Sequence, residues 1–210
     1  MTPGQRKALR ERLEAYQAQR WDDVPTAFFA KRALDHSTVA RFGLGYTGSL
    51  GRGRALDLRR CLVLPYEDGL GRVRQLRYRP LYPTSGAKYL SEGAAPVNLF
   101  AVRAIDNPVV HVCEGEIDTM SAWQCGFRAT GIPGANNFKD EWRYLFRPPH
   151  VERVVLALDP DKTGREAAKY VYGLLESVVD VAIARFPKGM DVNDLLRTGG
   201  EDAVKEVLDV

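Results

Sequence analysis

No stretch of this chain of 210 residues approaches the roughly 20 consecutive apolar residues of a membrane-spanning helix, and no apolar signal segment follows Met1. A cytoplasmic protein with no membrane association is therefore expected. Cysteine is scarce. Cys61, Cys113 and Cys125 are scattered, odd in number and form no C-x-x-C pair, which argues against a disulfide framework and against a cysteine-based zinc site. Internal repeats and low-complexity segments are also missing. What remains has an ordinary globular composition and enough length for one good core or two small ones.

Charge is unevenly spread. Residues 1–105 carry 18 Lys+Arg and 9 Asp+Glu, whereas residues 106–210 carry 12 and 18, so a net +9 half precedes a net −6 half. A basic half next to an acidic one suits a polyanion-binding surface beside a metal site.

The acidic half is organised around two short apolar runs that each end in acid. Val109–Cys113 leads into Glu114-Gly115-Glu116-Ile117-Asp118, and Val154–Leu158 leads into Asp159-Pro160-Asp161. Such runs suit strands buried on both faces of a parallel sheet, and ligands of those sheets bind at the strands' carboxyl ends. Glu114, Asp159 and Asp161 are thus expected to converge on one edge. Crowded carboxylates repel unless a cation neutralises them, and hard cations such as Mg²⁺ take oxygen ligands. Gly115 lets the chain bend after Glu114. Asp118 lies one helical turn on, where it either joins the site or caps a helix. Asp161 can likewise cap the next helix, which Gly164 opens. After the last strand, Lys188-Gly189-Met190-Asp191-Val192-Asn193-Asp194 would hang over the same edge, with Asp191 as a site acid or a cap and Lys188 as a phosphate holder or a neutraliser of acids.

The order of elements in this half reads strand 109–113, helix 117–125, strand 127–131, helix 138–146, strand 153–158, helix 164–176, strand 180–185 and helix 192–197. That alternation predicts an α/β fold with a parallel sheet and flanking crossover helices. The first half reads as helices over 3–20, 26–34 and up to Arg41, then a strand 42–46 with two close-approach glycines and a loop 48–54 carrying two arginines. A hairpin follows, with strands 59–66 and 72–79 around Glu67–Gly71, then a loop 80–87 and a short strand at Lys88-Tyr89-Leu90. Strand 72–79 alternates: Arg72, Arg74 and Leu76 on one face, Val73, Gln75 and Arg77 on the other, with Tyr78 and Arg79 beyond. A strand this basic is expected to be a poor core strand and a good floor for a phosphate backbone. The expected organisation is an N-terminal helical segment 1–37, a smaller basic α+β subdomain 38–105 and the parallel-sheet domain 106–210.

Glu114-Gly115 after the first strand, Asp159-x-Asp161 after the third, and Gly164 at the helix start resemble the TOPRIM domain of primases, topoisomerases and some nucleases. Val39–Tyr46, Leu62–Arg79 and Lys88-Tyr89-Leu90-Ser91 resemble the basic subdomain of the DnaG-type bacterial and phage primase core, and the likeness runs from about Thr38 to Leu208. It implies template-directed synthesis of short RNA primers on single-stranded DNA from ribonucleoside triphosphates, with Mg²⁺ or Mn²⁺. Glu114, Asp159 and Asp161 would be the metal-binding acids, supported by Asp118 and Asp191. Arg79 and Lys88 would contact template or nucleotide phosphates, with Arg72, Arg74, Arg77 and Lys188 as further candidates.

The chain departs from that pattern at Ser91, where the family usually has Asn, at 95–100, where a family lysine is missing, and at Asn193, which replaces an acid. A zinc-binding domain and a helicase-binding region are missing as well. A minimal core is therefore expected, phage-encoded or a fragment, working with a separate zinc-binding protein and a replicative helicase. Three alternatives stay open: a TOPRIM-family nuclease, a non-catalytic single-stranded-DNA-binding module of a replisome, and a haloacid-dehalogenase-like phosphatase. The last fits Asp159-Pro160-Asp161-Lys162-Thr163, but its fold normally carries that signature on the first strand, and only 49 residues follow Asp161. A topoisomerase lacks room for its tyrosine-bearing cleavage domain.

Overall fold

The computed structural model describes residues 1–48, 57–82, 88–91 and 98–210, so residues 49–54 and 83–87 of the expected loops lie outside the described residues. The chain forms two compact units, Met1–Asn98 and Leu99–Val210.

In the first unit, α1 (Pro3–Gln17) starts at a capping box, in which Thr2 and Gln5 each bond the other's backbone N–H. Helix α2 (Asp23–Ala30) begins three residues earlier than expected and ends four residues sooner, because Asp22 supplies its cap. Pro25 is tolerated there because first-turn N–H groups have no partner within the helix. Helix α3 (His36–Arg41) is capped by Asp35. Strands β1 (Gly45–Tyr46), β2 (Cys61–Glu67), β3 (Val73–Pro80) and β4 (Leu90–Ser91) make an antiparallel sheet in that order. Leu13 of α1 is buried with Cys61, Val63, Val73, Leu76 and Tyr78 of the sheet. Gly45 is a close-approach glycine as expected: a Cβ there would lie 2.7 Å from Tyr16 Cβ.

The expectation for β3 needs correction on two counts. The strand lies inside the sheet, and Val73, Gln75, Leu76, Tyr78 and Arg79 are all buried. The alternation also breaks, because the β2–β3 register passes from Tyr66↔Gln75 to Glu67↔Val73 and skips Arg74. This bulge turns Val73 and Leu76 into the same core.

In the second unit a 3-10 turn (Val102–Asp106) precedes β5 (Val109–Cys113), α4 (Glu116–Gln124), β6 (Ala129–Gly131), two 3-10 turns (Ala135–Asn137 and Asp140–Leu145), β7 (Arg153–Ala157), α5 (Lys162–Leu175), β8 (Asp180–Ile183) and α6 (Val192–Leu208). The sheet order is β6-β5-β7-β8, all parallel. The expected helix 138–146 is instead the single 3-10 turn Asp140–Leu145, with Phe138, Trp142 and Phe146 turned into the core. Helix α6 continues well past Arg197. Gly200, at φ 72°, interrupts its helical backbone, and Val204 and Leu208 are buried beyond the break.

Because β6 leaves β5 on one side and β8 leaves β7 on the other, the chain reverses direction across the sheet between β5 and β7. A crevice opens at such a switch point, outside the strands' carboxyl ends. Both acid-terminated runs finish there. Among the described residues no helix is long and apolar enough to cross a membrane, and the three cysteines are free and buried.

Candidate active site

Three tight approaches shape the crevice. Thr119 donates its hydroxyl to the Gly115 carbonyl at 2.7 Å, which firms the first turn of α4. A Cβ at Gly131 would come within 2.6 Å of that hydroxyl, so only glycine lets the end of β6 meet α4. A Cβ at Gly164 would collide with the Asp159 carbonyl, so glycine is also what seats α5 directly against the end of β7.

The side chains of Asp118, Asp159 and Asp191 each place a carboxylate oxygen within 4.8 Å of the other two. They come from the first turn of α4, the end of β7 and the cap of α6. Asp118 accepts the Asn193 N–H at 3.1 Å, and Asp191 caps α6 by accepting the Asp194 N–H at 2.6 Å. Asn193, buried at 6% exposure, ties the two helices together. Its Nδ2 donates to Ser121 Oγ at 2.9 Å, and that hydroxyl donates to the Ile117 carbonyl at 2.9 Å. The Cys113 thiol lies beneath this cluster. Burial, followed by the charges of Asp118 and Asp159, pushes it well above its ordinary value, and a hydrogen bond with Thr119 works against them. The thiol thereby registers the negative field of the acids.

Three hard oxygen donors this close are a fitting set for a divalent cation such as Mg²⁺, and the same proximity makes them mutually repulsive without one. They are not the trio whose convergence was expected. Glu114 Oε2 accepts the Asp159 N–H at 3.3 Å, so it borders the cluster and tethers the loop after β7. Asp161 caps α5 by accepting the Gly164 N–H at 2.7 Å through Oδ1. Lys188 is exposed in the turn closed by Met190 N–H to the Pro187 carbonyl at 3.2 Å, three residues before Asp191. The role of Asn193 and Ser121 was not foreseen. A buried amide–hydroxyl pair from two distant helices has no local sequence signature.

In the first unit, the expected basic residues are held by specific partners. Arg72 and Arg74 approach Asp68 at 2.9 and 3.7 Å. Arg77 bonds the Tyr66 hydroxyl at 2.9 Å, and its guanidinium lies 4.4 Å from the Tyr89 ring centre. Arg79 is only 9% exposed, bonds the Tyr89 hydroxyl at 2.7 Å and lies 5.1 Å from the Phe28 ring centre. Arg32 lies over the other contact of this series, 3.7 Å from the centre of Phe28. A basic strand can thus run inside a sheet: the heads of Arg77 and Arg79 rest on aromatic rings, and that of Arg74 faces Asp68. Lys88 is exposed. Arg32, Phe28 and Tyr66 were missed at the level of sequence, where only Tyr89, next to Lys88, stood out.

A family model described as Toprim-like matches residues 111–196, the stretch that holds all five acids. The chain is 32% identical over 154 residues to the gene 57 protein of Mycobacterium phage D29, an alignment covering 70% of this chain and 97% of that protein. It is 25% identical over 197 residues to a DNA primase of Listeria innocua, covering 87% of this chain and 31% of the primase, so it spans about a third of that relative's length. The RNA polymerase domain of Mycobacterium tuberculosis primase DnaG shares the fold, with a TM-score of 0.81 over 99% of this chain and 84% of that one at 19% identity.

Proposed function

We propose, from the premise that this chain belongs to the DnaG-type primase catalytic cores with a Toprim-like domain, that it synthesises short RNA primers on a single-stranded DNA template. The observation that carries the reading is the gathering of Asp118, Asp159 and Asp191 at the switch point between β5 and β7.

In the reaction, the 3′-hydroxyl of one ribonucleotide attacks the α-phosphate of the next nucleoside triphosphate and pyrophosphate departs. Mg²⁺ or Mn²⁺, held by Asp118, Asp159 and Asp191, with Glu114 and Asp161 as further candidate ligands, would neutralise the charge that develops on the phosphoryl oxygens. Glu114 keeps the loop after β7 in place through the Asp159 N–H. Asn193 fixes Asp118 against the start of α6. Lys188 offers a cation to departing phosphates. Arg79 and Lys88, with Arg77 and the unforeseen Arg32, hold template or nucleotide phosphates. Arg72 and Arg74 are secondary in this reading, because Asp68 offsets their charge. A separate zinc-binding protein and a replicative helicase complete the assembly.

The test is incubation of the chain with labelled ribonucleotides, single-stranded DNA and Mg²⁺ or Mn²⁺, with and without a candidate zinc-domain protein. Labelled oligoribonucleotides are expected. Shortening of the DNA instead would assign the same acids to a nuclease.

A further inference from the structure

We propose that Arg143 and Arg147, set against the exposed ring of Tyr144, together with Lys139 over Trp142 of the same segment, form a second contact for the phosphate backbone of a nucleic-acid strand, on the acidic unit of the chain. The proposal rests on the reading of the chain as a nucleic-acid enzyme and adds a contact outside the acid cluster and outside the first unit.

The segment is built from the inside. Trp142 and Phe146 are 6% and 0% exposed, and both pack against Phe138. These three aromatics pin the 3-10 turn Asp140–Leu145 and leave Tyr144 and Leu145 at 50% and 42% exposure. Two guanidiniums then converge on one ring. Arg143 and Arg147 lie 4.8 and 4.4 Å from the Tyr144 ring centre, and Arg143 also donates to the Tyr144 hydroxyl at 2.7 Å. Lys139 lies 5.5 Å from the centre of Trp142.

None of the three cations makes an ion pair among the described residues, in contrast to Arg153 and Arg197 of the same unit, which each hold an aspartate. The nearest acid on the segment, Asp140, instead accepts a hydrogen bond from Tyr170 of α5. Two guanidiniums beside one ring repel each other, and the ring offsets only part of that repulsion. The Tyr144 hydroxyl feels both: Arg143, and less strongly Arg147, lowers it from its ordinary value. A phosphate accepting hydrogen bonds from both guanidiniums would complete the arrangement, because their planar forks match phosphate oxygens.

A strand fits better than a free nucleotide. The chain is exposed from Arg147 to His150 and on Tyr144 and Leu145, which suits a passing backbone rather than an enclosed small molecule. Within a half of net charge −6, three cations in nine residues form a local basic stretch that a polyanion can approach.

The test uses the whole chain and fluorescence anisotropy of labelled oligo(dT), from low to moderate salt. Replacing Arg143 and Arg147 together with Ala should weaken binding about tenfold at low salt and make the salt slope shallower by about 1.4, since each phosphate neutralised on a single strand contributes about 0.7. Arg147→Glu should weaken it further. Thermal unfolding of each variant, whose altered side chains are at the surface, should match that of the unaltered chain. A parallel titration with ATP separates the two sources of phosphate: loss of ATP affinity with unchanged oligo(dT) affinity would overturn the strand assignment. Unchanged oligo(dT) affinity and slope in a folded double variant would overturn the proposal while primer synthesis, assayed separately, still upholds the primase reading. No binding of oligo(dT) by the unaltered chain would overturn both.

Discussion

Asn193 Nδ2 donates to Ser121 Oγ at 2.9 Å, and because the Ser121 proton is already committed to the Ile117 carbonyl, the hydroxyl can only accept at that contact. Position 193 therefore requires a donor, which a carboxylate at neutral pH is not. Asn193→Asp should destabilise the second unit by about 1–3 kcal/mol, the range for a buried polar group left facing the wrong partner. Asn193→Ala and Ser121→Ala should be non-additive in a double-mutant cycle, with a coupling of about 0.5–3 kcal/mol. Denaturant unfolding measures both, and full additivity would reject the pairing.

Asp191 and Asp161 each cap a helix, so an Asp→Ala change confuses loss of a cap with loss of a metal ligand. Asparagine caps about as well as aspartate but carries no charge. Asp191→Asn and Asp161→Asn should retain nearly full stability without metal and lose most of the rise in Tm that Mn²⁺ gives the unaltered chain by mass action. Asp159→Asn should behave likewise and abolish primer synthesis. A full Mn²⁺-induced shift in any one of these variants would remove that residue from the metal set.

Tyr89 holds Arg79 through its hydroxyl and Arg77 through its ring. Replacing Arg79 and Lys88 together with Ala should weaken binding of all single-stranded DNA sequences alike and make the salt slope shallower by up to about 1.4. Tyr89→Phe, which keeps the ring and loses the hydroxyl, should cause a smaller loss. Equal affinity and slope in the Arg79/Lys88 double variant, read by anisotropy, would leave these side chains as supports of the sheet alone.

His111 sits in the middle of β5 at 4% exposure, with Nε2 3.0 Å from the Leu208 carbonyl at the end of α6. Burial lowers its pKa from the ordinary value near 6.5, while the Leu208 and Arg128 carbonyls and the charge of Asp209 act in the opposite sense. The unfolded chain thus takes up the proton first as pH falls. The stability His111 contributes is complete above about pH 6.5 and drains away between that value and its lower folded pKa. Unfolding free energy should decline over that acid window, and His111→Gln, which does not titrate, should flatten the decline. Parallel pH profiles for the two proteins would exclude His111 as the source.

Local chemistry made several elements legible from sequence. Val109–Cys113 reads as a buried strand because five consecutive apolar or neutral residues meet a carboxylate and a glycine, and the structure has β5 over those residues. Caps were equally readable: Asp161 and Asp191 both accept a first-turn N–H, since a short acidic side chain before a helical run has few better partners. The Toprim-like match covers the acids that the pattern singled out.

Tertiary packing decided the rest. That Asp118 and Asp191, rather than Glu114 and Asp161, cluster their carboxylate oxygens with that of Asp159 depends on the strand order β6-β5-β7-β8 and on the Asn193–Ser121 contact between α4 and α6, neither of which leaves a periodicity in the chain. The arginines of β3 could be placed inside a sheet only because Tyr66, Tyr89 and Phe28, from three other parts of the first unit, supply rings to rest on. Charge and hydropathy along a strand record what each residue prefers when it stands alone. The partners that make a buried guanidinium or a crowded carboxylate tolerable are set by distant segments, and they exist only once the chain has folded.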